Sequence, residues 1–307
     1  MTVKVISRTA GAAAATLALV TVAGAARPAL AGRPAGAAPP APARSGPEGA
    51  VTRQIYPGIP MVPAGARPRQ ALAGAAGQLT AGVQATVRST NWSGYAVSRR
   101  KTTFRFVQAA FLVPHVRCGA SAGSRRAYSS HWVGLDGFSD PTVEQDGIEA
   151  DCRETRPRYY AWYEMYPKSE TPVSLKIKGG DSVSAAVTYS RSSRKFTLKI
   201  ADSTSGRHFS IARRCGTCRR ATAEVISEAP ATISSRGRTV VLPLADYRVA
   251  RFANIAIAES GGSGGGLSSG RWNITKILQV SAANQATLVA WPSPIRADAF
   301  DNYWSGR

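Results

Sequence analysis

From about residue 89 onward the chain reads as an all-β domain, a sandwich or a barrel. Short apolar–polar runs follow one another, broken by Gly, Ser, Pro and Asp, and no segment keeps a 3.6-residue apolar stripe between helix caps. Many short strands with frequent turn signals are the sequence form of those two architectures.

The strands can be followed in order. Residues 103–113 alternate from Thr103 to Val113 and stop at Pro114, which cannot donate to a ladder. Residues 181–189 and 195–200 face each other across a polar turn, as the arms of a hairpin do. Residues 240–242, 253–258 and 286–291 continue the series, and 159–166 form an aromatic strand. The glycines of 261–266 read as a flexible loop. The stretch after Trp291 carries no assignable pattern.

The 307 residues divide into three parts. Lys4 and Arg8 precede an apolar run, residues 10–20, and Ala29-Leu30-Ala31 offers a small-x-small cleavage site. These mark residues 1–31 as a signal peptide, so a secreted, extracellular chain is expected. No run reaches the ~18–20 strongly apolar residues of a membrane span, and no stable membrane anchor is expected. Residues 32–88 are Ala, Pro, Gly and Arg with few aromatic or β-branched neighbours. Such a segment buries too little apolar surface to offset its ordering entropy, and reads as a disordered propeptide or linker. Residues 89–307 remain for one folded domain, enough for a sizeable core.

The net charge of +21 invites a nucleic-acid reading. The arginines are scattered, however, and no basic helix, RNA-recognition motif or zinc knuckle accompanies them. No specific nucleic-acid partner is expected; adhesion to an anionic wall or polymer accounts for the charge more simply. Cys118, Cys152, Cys215 and Cys218 are an even set, which in an exported chain favours disulfides, with three connectivities open. Cys215-Gly216-Thr217-Cys218 can close on itself, leaving Cys118 for Cys152. A redox role for that C-x-x-C lacks the usual βαβ surroundings. A zinc site lacks ligands, since Cys118 and Cys152 stand alone and the chain has three histidines. No metal or cofactor is expected.

The chemistry concentrates in three stretches. Glu144-Gln145-Asp146-Gly147 lies between Trp132-Val133-Gly134-Leu135-Asp136-Gly137 and Tyr160-Ala161-Trp162-Tyr163-Glu164-Met165-Tyr166-Pro167, and Ala223-Glu224-Val225-Ile226-Ser227-Glu228-Ala229-Pro230 follows later. Hydrolysis by water needs a base, an oxyanion donor and an acid for the leaving group. One carboxylate can serve as base and then acid, and a neutral amide can donate to the oxyanion. Glu224, Ile226 and Glu228 share one strand face, so periodicity admits either glutamate. Asp136, Glu149 and Glu164 are candidates for a carboxylate cluster that raises a neighbour's pKa. Trp132 and Trp162 can wall an extended-peptide groove, or be plain core. A serine triad is not indicated: His115, His131 and His208 come without a G-x-S-x-G elbow, and His131 is read as facing away from Trp132. Asp136, Asp140, Glu144 and Asp146 do not have EF-hand spacing.

The order of these motifs resembles the glutamic peptidases, or eqolisins, secreted acid-acting proteases. Asn91-Trp92-Ser93-Gly94-Tyr95, Val113-Pro114, Tyr128-Ser129-Ser130 and Leu244-Ala245-Asp246-Tyr247 are further landmarks of that likeness. The resemblance implies a concanavalin-like sandwich of two antiparallel sheets. It also implies a Gln145/Glu228 dyad, polypeptide substrates, a monomer and insensitivity to pepstatin. Val225 and Ser227 depart from it, where the family usually shows tryptophan and an apolar residue. Two other readings stay open: a glycoside hydrolase using two of Glu149, Glu164 and Glu228, and a wall- or glycan-binding module with Trp132 and Trp162 as its platform.

Secreted material is expected to begin after Ala31, checked by its intact mass; a species beginning at Met1 would contradict export.

Overall fold

The computed structural model describes residues 83–305 apart from 120–125, 237 and 263. The expected signal peptide and residues 32–82 of the expected linker lie outside the described residues. Nineteen strands form. They are β1 (Val83–Ser89), β2 (Trp92–Ser98), β3 (Phe104–Leu112), β4 (Arg126–Ala127), β5 (Ser130–Leu135), β6 (Val143–Arg153) and β7 (Arg156–Tyr166). Then come β8 (Thr171–Pro172), β9 (Ser182–Ser190), β10 (Lys195–Asp202), β11 (Arg207–Arg213), β12 (Thr222–Glu228), β13 (Ala231–Ile233) and β14 (Thr239–Val241). The last are β15 (Val249–Glu259), β16 (Gly264–Gly266), β17 (Asn273–Val280), β18 (Leu288–Pro292) and β19 (Phe300–Trp304). No helix forms among the described residues, and none is long and apolar enough to cross a membrane.

Hydrogen bonds join seventeen strands into one sheet folded into two layers, with β13 and β14 as a separate hairpin. The first layer runs β1-β17-β2-β12-β5-β6-β7-β8. The second runs β11-β10-β9-β3-β15-β19-β18, and β17 pairs with β18 where the layers join. Strands β5, β6 and β12 pack on β9, β10 and β3 without pairing to them, as facing sheets do. Every strand pairing is antiparallel except β1 with β17. This is the sandwich the strand pattern allowed.

Three boundaries differ from the sequence reading. β1 takes residues 83–88 from the expected linker, because Val83 and Val87 bury against the domain while β1 pairs with β17. The glycine stretch is partly a strand: β16 pairs with β15, and a side chain at Gly266 would collide with the Asp298 carboxylate, 1.9 Å from an added Cβ. The tail after Trp291 forms β19, which closes on β15 and β18.

Alternation decides which face each residue takes. Tyr95, Val97, Val133, Leu135, Ile148, Ala161 and Val225 point between the layers into the main core. Their neighbours Trp92, Ala96, Trp132, Val143, Trp162 and Ile226 form a second buried cluster on the other face of the first layer. Trp132 occupies the middle of that face, edge-on to Trp92 at 4.9 Å between ring centroids. Gly147 lies opposite it in the ladder, where an added Cβ would stand 2.3 Å from the His131 carbonyl oxygen and 2.6 Å from Trp132 Cβ.

Gly147→Ala is therefore expected to lose at least about 1–3 kcal/mol, since backbone atoms cannot yield to it. Gly216→Ala, with nothing near its added Cβ, should stay within about 0.5 kcal/mol of the parent. Urea unfolding of both variants checks this; equal losses would contradict the packing argument.

Candidate active site

Three ladder rows organise the second face of the first layer. One row runs Glu224 (β12), Gly134 (β5), Gln145 (β6), Glu164 (β7). The next runs Ile226, Trp132, Gly147, Trp162, and the third Glu228, Ser130, Glu149, Tyr160. Paired residues in an antiparallel ladder point the same way. The structure therefore brings Gln145, Glu149, Glu164, Glu224, Glu228, Trp132 and Trp162 onto one face, and all are buried.

Gln145 and Glu228 do not hydrogen-bond to each other. They stand on β6 and β12, with β5 and its Trp132 between them. Each is held separately. Gln145 Nε2 donates to Glu164 Oε2 at 2.5 Å, while Gln145 Oε1 has no partner. An amide has two N–H groups, so this bond fixes its orientation and leaves one donor. Glu228 Oε1 accepts from Asn91 Nδ2 at 3.0 Å, and Oε2 accepts from Trp132 Nε1 at 3.0 Å. Burial nonetheless dominates and pushes Glu228 up to about 8; the two N–H donors pull it back only in part.

Glu149 belongs to a carboxyl group of its own. Burial, then the charges of Asp151 and Glu170, raise it well above the usual range. Tyr160 donates its hydroxyl to Glu170 Oε1 at 2.9 Å, and burial lifts Glu170 to about 8. Asp136 lies at the end of β5 in a turn with φ 71°. Its oxygens accept the backbone N–H groups of Arg220 and Ala221 at 2.6 Å each, so it ties down the loop leading into β12. Burial still raises Asp136 to about 6. Glu144, next to Gln145 but facing the other way, is raised to about 10 by burial and then by Asp136 and Asp140. Glu224 is likewise raised well above normal, by burial first, with the Thr222 hydroxyl pulling it back only in part. Asp146, like Glu144, faces away from Gln145, and the charges that act on Glu144 are those of Asp136 and Asp140. Both expected disulfides are present, Cys118–Cys152 and Cys215–Cys218.

Sequence reasoning missed Glu170 entirely and gave Asn91, Ser130 and Tyr160 no chemical role. Asn91 was visible only as a landmark beside Trp92, because nothing local signals an amide donating to a carboxyl 137 positions later. His131 faces away from Trp132, as expected. Its Nδ1 lies 2.9 Å from Ser227 Oγ, its ring stands edge-on to Tyr247, and burial lowers it to about 3.

These shifts set a stability profile. The raised carboxyls keep protons in the folded chain where an unfolded chain has lost them. Their stabilisation is complete below about 4.5, and is lost as pH rises toward 8 for Glu228 and Glu170 and toward 10 for Glu144. His131 acts oppositely: kept neutral by folding, it weakens the fold as pH falls from 6.5 toward 3. The melting temperature is expected to peak at roughly pH 4–5. A double variant His131→Leu/Ser227→Ala, which removes both partners, should flatten only the acid limb. A melting temperature that climbs from pH 5 to 8 would contradict this.

Residues 90–290 match the family model of the Peptidase A4 family. The fold is similar to that of scytalido-glutamic peptidase, solved with a peptide-based transition state analog. The two share 22% identity and a TM-score of 0.58 over 70% of this chain and 98% of that one. It is also similar to SCP-B, a member of the eqolisin family in complex with the tripeptide Ala-Ile-His, at 22% identity and a TM-score of 0.56 over the same shares. No curated protein matches the chain. With the match spanning well over half its length, the chain belongs to the Peptidase A4 family, the glutamic peptidases, and is a peptide hydrolase.

Proposed function

We propose that this peptidase is a secreted, acid-acting endopeptidase whose working groups are Gln145 and Glu228. The observation that supports it best is the state of the two groups. One amide is pinned by Glu164 with a donor and an acceptor left over, and one buried carboxyl keeps its proton on the same face. Family membership sets aside the glycosidase and wall-binding readings.

The shift of Glu228 revises the order of proton transfers. A group at about 8 is a carboxylic acid at acid pH, not a resting base. Glu228 then acts first as an acid, giving its proton to the scissile carbonyl oxygen as water attacks the carbon. The carboxylate so formed takes the proton of the attacking water. The free N–H of Gln145 donates to the former carbonyl oxygen, and its Oε1 accepts from the water. In collapse, Glu228 gives a proton to the amide nitrogen and recovers one from the diol, so acid and amine leave with Glu228 reset. Trp132 serves Glu228 as a donor and holds its carboxyl in place.

A denatured protein substrate should be cleaved at pH ~3–5 with or without pepstatin. Glu228→Gln should reduce hydrolysis to background with the fold retained. Gln145→Ala should cost about 10²–10³ in rate, and Gln145→Glu should also fail, because a carboxyl has at most one O–H and cannot donate both to Glu164 and to the former carbonyl oxygen. Glu224→Gln should be tolerated, since an amide replaces a neutral carboxyl of the same shape. Rates measured where circular dichroism shows folded protein should hold through acid pH and fall as pH rises through about 8. A rate that climbs tenfold per pH unit up to that point would overturn the acid-first order. Full activity in all the Gln145 and Glu228 variants would overturn the dyad.

A further inference from the structure

The disulfide between Cys215 and Cys218 has a neighbour that a purely structural staple does not need. A carboxylate oxygen of Glu144 and the two sulfurs lie within 4.8 Å of one another. Glu144 is fully buried, and its closest polar neighbour is the Asp136 carboxyl. Both cysteines are partly exposed, whereas the other disulfide joins a partly exposed Cys118 to Cys152, which is 3% exposed. An external thiol therefore reaches this bond from solvent while a buried carboxyl waits behind it. The other groups around Glu144 are Asp136 and Asp140 from the β5–β6 connection and Arg220 from the loop before β12. Thr217 Oγ1 lies 3.7 Å from Cys215 Sγ.

We propose that Cys215–Cys218 is a redox-active disulfide opened by an external dithiol, with Glu144 as its proton donor and acceptor. A thiolate of the dithiol attacks one sulfur; the S–S bond breaks, and the departing sulfur takes the proton of Glu144. The second thiol of the reductant gives its proton to the Glu144 carboxylate and attacks the mixed disulfide. This expels the second cysteine sulfur, which takes a proton from water. Two electrons pass from the dithiol to the cysteines, the dithiol becomes a disulfide, and Glu144 ends protonated as it began. Its elevated pKa suits it to both roles, since it lies near the range of a thiol.

The location gives the reaction a consequence. The loop carrying both cysteines continues to Arg220 and Ala221, whose N–H groups are held by Asp136, and then enters β12 with Glu228 at its end. Glu144 itself precedes Gln145. Opening the disulfide loosens the segment that leads into β12.

The test uses the folded full-length protein and graded dithiothreitol, with alkylation and peptide mass spectrometry to time each disulfide. Cys215–Cys218 is expected to open before Cys118–Cys152, and Glu144→Gln to slow its opening at least about tenfold without changing Cys118–Cys152. Simultaneous or reversed opening in the parent, or an unchanged rate in E144Q, would overturn the proposal. Should E144Q not fold, the parent decides alone in heavy water at matched thiolate concentration. Slowing confined to Cys215–Cys218 supports Glu144 as proton donor; equal ratios for the two disulfides overturn it.

Discussion

A β-strand has two faces, and β12 uses both at full burial. Glu224, Ile226 and Glu228 point to the tryptophan face, while Ala223, Val225 and Ser227 point between the layers. No residue of this strand meets solvent appreciably. A one-residue slip would exchange the two sets, placing three carboxyl or apolar side chains where the other sheet packs. The site therefore depends on register, and register here is fixed from both sides by pairing with β2 and β5. Trp132 adds a third constraint, because its indole reaches Glu228 only if β5 and β12 are aligned as they are.

That dependence explains what was legible in the sequence. Strand identity was visible wherever alternation ran for several residues, as in β3, β9 and β10. It failed at β1, β16 and β19, whose pairing is decided by distant partners: β17 for β1, β15 for β16, and both β15 and β18 for β19. The site was legible as residue types in motif order, and alternation alone put Glu224 and Glu228 on one face. What alternation does not carry is lateral order. Only the ladder shows that Gln145 shares a row with Glu224 and Glu164, and that Glu149 shares one with Glu228. Glu170 carried no signal, since its part comes from a hydrogen bond to Tyr160 and proximity to Glu149, not from any pattern of its own.

The two departures from the family pattern find their place on the far face. Val225 is buried beside Tyr95 and Val133 in the interlayer core, not beside the carboxyl of Glu228. Ser227 is opposite His131 in the ladder and bonds to it. A hydroxyl in a core is costly without a partner, and an imidazole is costlier. Each satisfies one polar atom of the other, on the face away from Glu228.

The same neutrality governs both faces. On the tryptophan face, buried carboxyls of Glu224 and Glu228 hold protons, and on the interlayer face His131 refuses one. Both outcomes follow from a single cause, the expense of charge away from water. Two strands can thus carry titratable groups on each side and remain uncharged between roughly pH 3 and 8, the values reached by His131 and Glu228. A carboxyl on the tryptophan face therefore rests as an acid, and Glu228 keeps its proton up to about 8 because burial outweighs the N–H donors of Asn91 and Trp132.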